Sequence, residues 1–143
     1  MLKKQLFFVT LVVVLSLSAT GVMASGGKQK NSPFLITGKL PHLTKLLMQQ
    51  WENPDLQLTE DQKGKLLEVR KTTMTGAKKF GQEVAELEQK VVEGALGGKS
   101  PEELRSLVEK ISEIKANATM LHLQCIYTTN NILDQRQLGV LKK

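Results

Sequence analysis

The chain has 143 residues, a formal net charge of +6, only 4% aromatic residues and a single cysteine. One cysteine excludes an intrachain disulfide. The modest, mixed charge excludes the dense cationic surface of a dedicated nucleic-acid binder.

The amino terminus is an export address. Lys3 and Lys4 precede an almost unbroken apolar run from Leu6 to Leu17, and Val22-Met23-Ala24 offers a peptidase site. Residues 1–24 are therefore expected to be a signal peptide, cleaved after Ala24, too short in its apolar run to serve as a membrane span. No cysteine stands at the cleavage point, so no lipid anchor is expected. The compact signal suggests a bacterial source and a periplasmic protein. Removing 24 of the 143 residues leaves 119. Two of the 20 basic residues lie in the removed segment, so the mature chain carries 18 basic and 14 acidic side chains, or +4. That length suits one domain.

Residues 25–39, rich in Gly, Ser, Lys and Asn, read as a flexible leader, and residues 40–143 as a single helical domain. A short first helix is expected from Pro41 to Trp51, with Leu43, Leu46 and Leu47 on one face. Asn53-Pro54-Asp55 ends it. The second helix opens at Leu58-Thr59-Glu60-Asp61-Gln62, a capping box in which the Thr59 oxygen takes an orphan N–H and the Gln62 side chain returns to the cap's own N–H. Its apolar stripe continues to Leu96, and Gly76 and Gly81 mark weak points where a bend is expected. Gly97-Gly98-Lys99 makes the turn. Ser100 and Glu103 form another box around Pro101, and the third helix follows through Leu104, Leu107, Ile111, Ile114, Ala118, Leu121, Cys125, Thr128 and Ile132. Leu133-Asp134-Gln135-Arg136-Gln137 repeats the first device, with Asp134 and Gln137 as cap and partner, and starts a last short helix.

Two helices of some thirty-five residues, each about 50 Å long, cannot sit inside a globule whose radius of gyration would be about 13 Å. The expected fold is all-α: an elongated hairpin of two long helices with short flanking helices. Its thin core points to a second subunit, so an antiparallel homodimer is expected. The acidic Glu83, Glu86, Glu88 and Glu93 follow a basic half of the second helix, and an antiparallel copy would set those blocks face to face.

Folding about residues 97–98 pairs positions whose numbers sum to roughly 195, which brings Thr59 near Asp134. Ala116 to Leu133 contains no formal charge, whereas a surface helix normally alternates charges on its outer face. One reading buries this face under the first helix or a partner. The other makes it a recognition surface for unfolded or partner polypeptides, apolar and neutral with a cationic rim. The candidate contacts are Lys63, Arg70, Lys71, Met74, Lys78, Met120, Leu123 and Tyr127. The two readings are compatible on opposite sides of one helix. A second candidate is a copper or zinc site drawn from Met74, His122 and Cys125, since soft sulfur and nitrogen donors suit those ions. His42 and Met48 are further donors whose placement the sequence leaves open. No cofactor is required by any reading. The chain is not expected to be an enzyme: it has no HExxH, no phosphate-cradling glycine loop and no spaced nucleophile–base–acid set.

The LTEDQ that opens a long helix and the LDQRQ that closes the hairpin, in an exported helical chain, resemble the LTxxQ-motif periplasmic proteins of the Spy/CpxP type. More loosely they resemble the heavy-metal resistance and sensor proteins of the ZraP/CnrX type. The likeness covers residues 41–141. Leu58 to Gln62 fits the motif in full, whereas in the second copy Asp134 replaces the Thr and only Leu133 and Gln137 match. The resemblance implies a cradle-shaped antiparallel dimer, an ATP-independent chaperone or envelope-stress adaptor, and an envelope sensor kinase as a further partner. Metal binding is the alternative it implies.

Overall fold

The computed structural model describes residues 32–141; the expected signal peptide and residues 25–31 lie outside them. The chain forms four helices: α1 (Leu43–Gln49), α2 (Glu60–Leu96), α3 (Pro101–Ile132) and α4 (Gln135–Leu141). α2 and α3 pack along their length as an antiparallel hairpin, so the all-α fold with two long helices is as the periodicity predicts. No helix among the described residues is long and apolar enough to cross a membrane.

The helix starts sit where the caps place them. Thr59 Oγ1 accepts from the Gln62 N–H at 3.2 Å, and Gln62 Oε1 accepts from the Thr59 N–H at 3.1 Å. Ser100 and Glu103 make the same reciprocal pair at 3.4 and 2.8 Å. α1 is shorter than expected because His42 makes no side-chain cap and Gln50 already leaves the helical conformation. The turn after α2 is a Schellman motif: the Lys99 N–H bonds the Gly94 carbonyl, and the Gly98 N–H bonds that of Ala95. Gly98 has φ +84°, which explains the glycine there.

At the expected bend, α2 keeps its helical hydrogen bonding unbroken through Gly76 and Gly81. Gly76 serves close packing. A Cβ at that position would lie 2.4 Å from Leu121 Cδ2 of α3, so the missing side chain lets α3 approach.

The core is concentrated at the open end of the hairpin. Leu47, Leu56, Leu66, Leu133, Leu138 and Leu141 form one buried cluster, with Trp51, Leu58 and Ile132 packed against it. Each fully buried leucine contributes about 2 kcal/mol. Along the shaft the buried apolar side chains are fewer, chiefly Val84, Leu104, Ile114 and Ala118. The molecule is thus a two-helix shaft held shut at one end, with α1 and α4 supplying the cover.

Within residues 32–39, the segment Pro33–Leu35 touches the long helices. Pro33 Cγ is 3.9 Å from the point where a Gly81 side chain would begin, Phe34 is partly buried, and the Leu35 N–H donates to Thr119 Oγ1 of α3 at 2.9 Å. The Gly, Ser and Lys content masked these three anchors.

Candidate functional site

The two LTxxQ-like devices meet at the open end and lock together. Gln62 Nε2 donates to Gln137 Oε1 at 3.0 Å, and Gln137 Nε2 donates back to Gln62 Oε1 at 3.1 Å. Each amide oxygen also accepts from its own cap, from the N–H of Thr59 and of Asp134. The Gln62 amide further reaches the Ile132 carbonyl at 2.9 Å, and that of Gln137 the Leu56 carbonyl at 2.9 Å. Asp134 accepts from the Gln137 N–H at 2.7 Å, and the Arg136 guanidinium donates to the Asp55 and Leu56 carbonyls. The motif is therefore a structural clasp that sets the register of the hairpin. Leu133 and Leu138, at the positions of a hydrophobic staple, lie in the same core cluster.

With register fixed, helical spacing of about 100° per residue assigns each surface residue to an arc. Leu66 and Val84, both buried, mark the side of α2 that faces the core. Lys63, Arg70, Lys71, Met74 and Lys78 fall within one arc of about 100° along one edge of α2. Leu67, which was not among the expected contacts, lies in the middle of it. Leu67 is 48% and Met74 56% exposed. Lys63 is bonded to Glu60 at 2.8 Å, which raises its pKa. Among the described residues Arg70, Lys71 and Lys78 have no ion-pair partner, whereas Lys65 pairs with Asp61 and Lys79 with Glu83. Five of the eight expected contacts thus come together as one cationic and apolar edge.

The other three do not join it. Met120 and Tyr127 are exposed and two turns apart on the outer face of α3, and Leu123 is half-buried between them. The uncharged segment of α3 has three environments. One side is covered by α1 and residues 32–39, burying Ala118, Thr119, His122, Cys125 and Thr129. Its outer face carries Met120 and Tyr127. The remaining side opens into a groove of about 390 Å³ between the long helices, lined by Lys65, Glu68, Val69, Thr72 and Thr73 of α2 and by Leu121, Gln124, Cys125, Thr128 and Ile132 of α3. None of the eight expected contacts lines this groove. Its signal in the sequence was the neutral run itself, read together with the α2 residues one helical step away from the chosen lysines.

The three candidate metal donors have different surroundings. Met74 belongs to the exposed edge. Cys125 is buried with its Sγ 3.9 Å from the Thr44 hydroxyl. His122 is buried between the rings of Phe34 and His42. Among the described residues no three His, Cys, Asp or Glu side chains stand together as a metal-binding group.

Across the shaft, Lys115 Nζ meets Glu88 Oε1 at 2.8 Å and joins the two long helices. The chain matches no protein-family model, no curated protein and no solved structure.

Proposed function

We propose that this is a non-enzymatic, exported polypeptide-binding protein, a chaperone-like or stress-adaptor protein acting by reversible contact without ATP. The observation that carries this reading is the edge of α2, where Leu67 and Met74 stand half-exposed among three cations that have no ion-pair partner among the described residues. Covering those two side chains provides roughly 2 kcal/mol of apolar burial in total, and the cations extend capture toward acidic, unfolded chains. Such a surface binds weakly and releases readily, as holding unfolded clients requires. The α2–α3 groove, on the opposite side of α2 from this edge, is a separate neutral recess able to take an apolar side chain. The resemblance to LTxxQ proteins points the same way, and the export signal expected at residues 1–24 supports an envelope location.

The test is aggregation of a denaturing model protein at stoichiometric concentration. Wild-type protein is expected to slow it, less so as salt screens the edge. The double variant Lys71→Glu with Lys78→Glu is expected to lose most of the effect while keeping its helical circular dichroism. No protection by wild-type protein, or equal protection by the variant, would remove the reading.

A second reading rests on the spacing of the same edge. Leu67 and Met74 are seven residues apart, as are Ala85 and Val92, all within one narrow arc. About a two-fold axis between Lys79 and Phe80, Leu67 falls opposite Val92 and Met74 opposite Ala85 of a second copy. The basic half of α2 then meets the half that carries Glu83, Glu86, Glu88 and Glu93. Self-association and client capture compete for this edge. Light scattering that shows a monomer at working concentration selects the first reading. A dimer that Met74→Glu dissociates selects the second and moves client contact to the groove.

A further inference from the structure

His122 belongs to neither reading. It is 4% exposed, and among the described residues neither ring nitrogen makes a well-formed hydrogen bond, although the Pro41 backbone lies close enough to act on the ring. Buried polar groups in folded proteins are nearly always paired, so an orphaned imidazole calls for an explanation. Its ring packs against two others brought by separate parts of the chain. His42, just ahead of α1, stacks on it at 4.6 Å and 15°, and Phe34 meets it at 5.2 Å and 40°. This cluster lies where residues 32–46 are fastened to α3, between the Leu35–Thr119 hydrogen bond and the Thr44–Cys125 contact.

We propose that the Phe34–His42–His122 stack is an acid-released latch, holding residues 32–46 on α3 while the His122 ring is neutral and letting them go when that ring takes up a proton. A neutral imidazole tolerates this site at the cost of its unpaired nitrogens. A protonated one carries two N–H donors and a charge with only the Pro41 backbone beside it to receive one of them, and that bond and the attraction of the Phe34 ring are smaller than the cost of burial.

The surroundings supply no counter-charge. Lys39 precedes the stack and Lys45 follows it on α1, while Arg70, Lys71 and Lys78, unpaired among the described residues, lie on the turns of α2 that run beside this part of α3. On α3 itself the charged side chain nearest in sequence is Lys115, already bonded to Glu88. His42 is the one titratable group acting on the ring, and as a second base it opposes charging. Burial first, and His42 second, hold the His122 imidazole below its usual pKa, with the Pro41 backbone opposing in part.

The sign follows by linkage. Released, His122 titrates near its ordinary value of about 6.5; docked, it titrates lower. The released form therefore binds the proton more tightly. Between the two values each pH unit of acidification raises the released-to-docked ratio by up to about tenfold. Above about pH 6.5 the latch stays closed and its occupancy no longer depends on this ring. Release uncovers Ala118, His122 and Cys125. Because Cys125 also lines the α2–α3 groove, the exposed apolar surface becomes continuous with it. The latch stands apart from the client-binding role, since its readout is local exposure of the chain.

Amide hydrogen exchange followed by NMR, corrected for intrinsic rates, tests it between pH 7.5 and 5. The Leu35 amide, bonded to Thr119, and those of Lys45 and Leu46, bonded to the His42 carbonyl, are expected to lose protection as pH falls from about 6.5 toward the docked value, by up to about tenfold per pH unit, and then to level off. Amides around Val84 should hold. In His122→Phe, which keeps an aromatic ring without the proton site, that pH dependence should vanish. An unchanged dependence in the variant, no dependence in wild-type protein, or equal loss in every helix overturns the proposal. Should the variant fail to fold, the wild-type ring decides: a His122 resonance titrating at or above the ordinary imidazole value is incompatible with the latch.

Discussion

Replacing Gln137 by Ala tests whether the paired glutamines act as a clasp or merely as two caps. Gln137 is 2% exposed. Its amide accepts from the Asp134 N–H and from Gln62, and donates to the Leu56 carbonyl and back to Gln62. Truncation leaves the Asp134 N–H and the Gln62 amide short of partners in a site shielded from water. Two or three such losses at about 1–1.5 kcal/mol each, with a small cavity added, sum to roughly 3–4 kcal/mol. That is a large share of the stability of a domain this size. Ser100→Ala is the internal control. It removes one half of an exposed box at the other end of the hairpin, and should cost about 1 kcal/mol. The assay is urea unfolding followed by circular dichroism and by the fluorescence of Trp51, the only tryptophan. The same series with Gln62→Ala and the double variant isolates the coupling, expected to be at least about 1 kcal/mol. The clasp would be refuted by a Gln137→Ala cost no larger than that of Ser100→Ala, or by two single costs that add within about 0.5 kcal/mol.

Four further outcomes follow from single positions. Gly64 lies inside α2 with nothing within 4 Å of a would-be Cβ, so Gly64→Ala should raise stability by roughly 0.5–1 kcal/mol in the same urea assay. Gly98 has φ +84°, and Gly98→Ala should cost about 1–2 kcal/mol, visible as a lower melting temperature. The Thr129 hydroxyl is fully buried without a partner among the described residues; Thr129→Val keeps the shape, removes the orphan and should stabilise by about 1 kcal/mol, measured by urea midpoint. Glu103 is held below the usual carboxylate range, first by the Ser100 backbone and then by its side chain. Its contribution is therefore complete above the ordinary carboxylate pKa and is lost as pH falls through the lowered value. A stability profile from pH 6 to 3 should show that loss flattened in Glu103→Gln.

The apolar stripes and capping residues carried most of the fold. Thr59, Ser100 and Asp134 act on N–H groups three residues away, so their effect is local and survives without knowledge of the rest of the chain. Gly97-Gly98 set the turn for the same reason, and helix lengths then made an elongated hairpin unavoidable. The one short helix without a cap, α1, was placed two residues too long at each end. The packing role of Gly76 was not legible because it depends on Leu121, a residue 45 positions away; propensity alone ranks glycine as a weak point.

What the order of residues determined by itself was therefore the set of helices, their junctions and the neutral run from Ala116 to Leu133. Tertiary structure alone decided which way each side of that run faces. It covered His122 with Phe34 and His42, left Met120 and Tyr127 in solvent, and opened a groove at Leu121 and Thr128. It also separated the cations beside Met74, unpaired among the described residues, from the lysines already paired within α2. Helix formation is governed by hydrogen bonds four residues apart, whereas covering a face depends on segments some 80 residues distant, as the Leu35–Thr119 and Thr44–Cys125 contacts show. Local periodicity marks a face as apolar or neutral, but only the packed chain selects what lies against it.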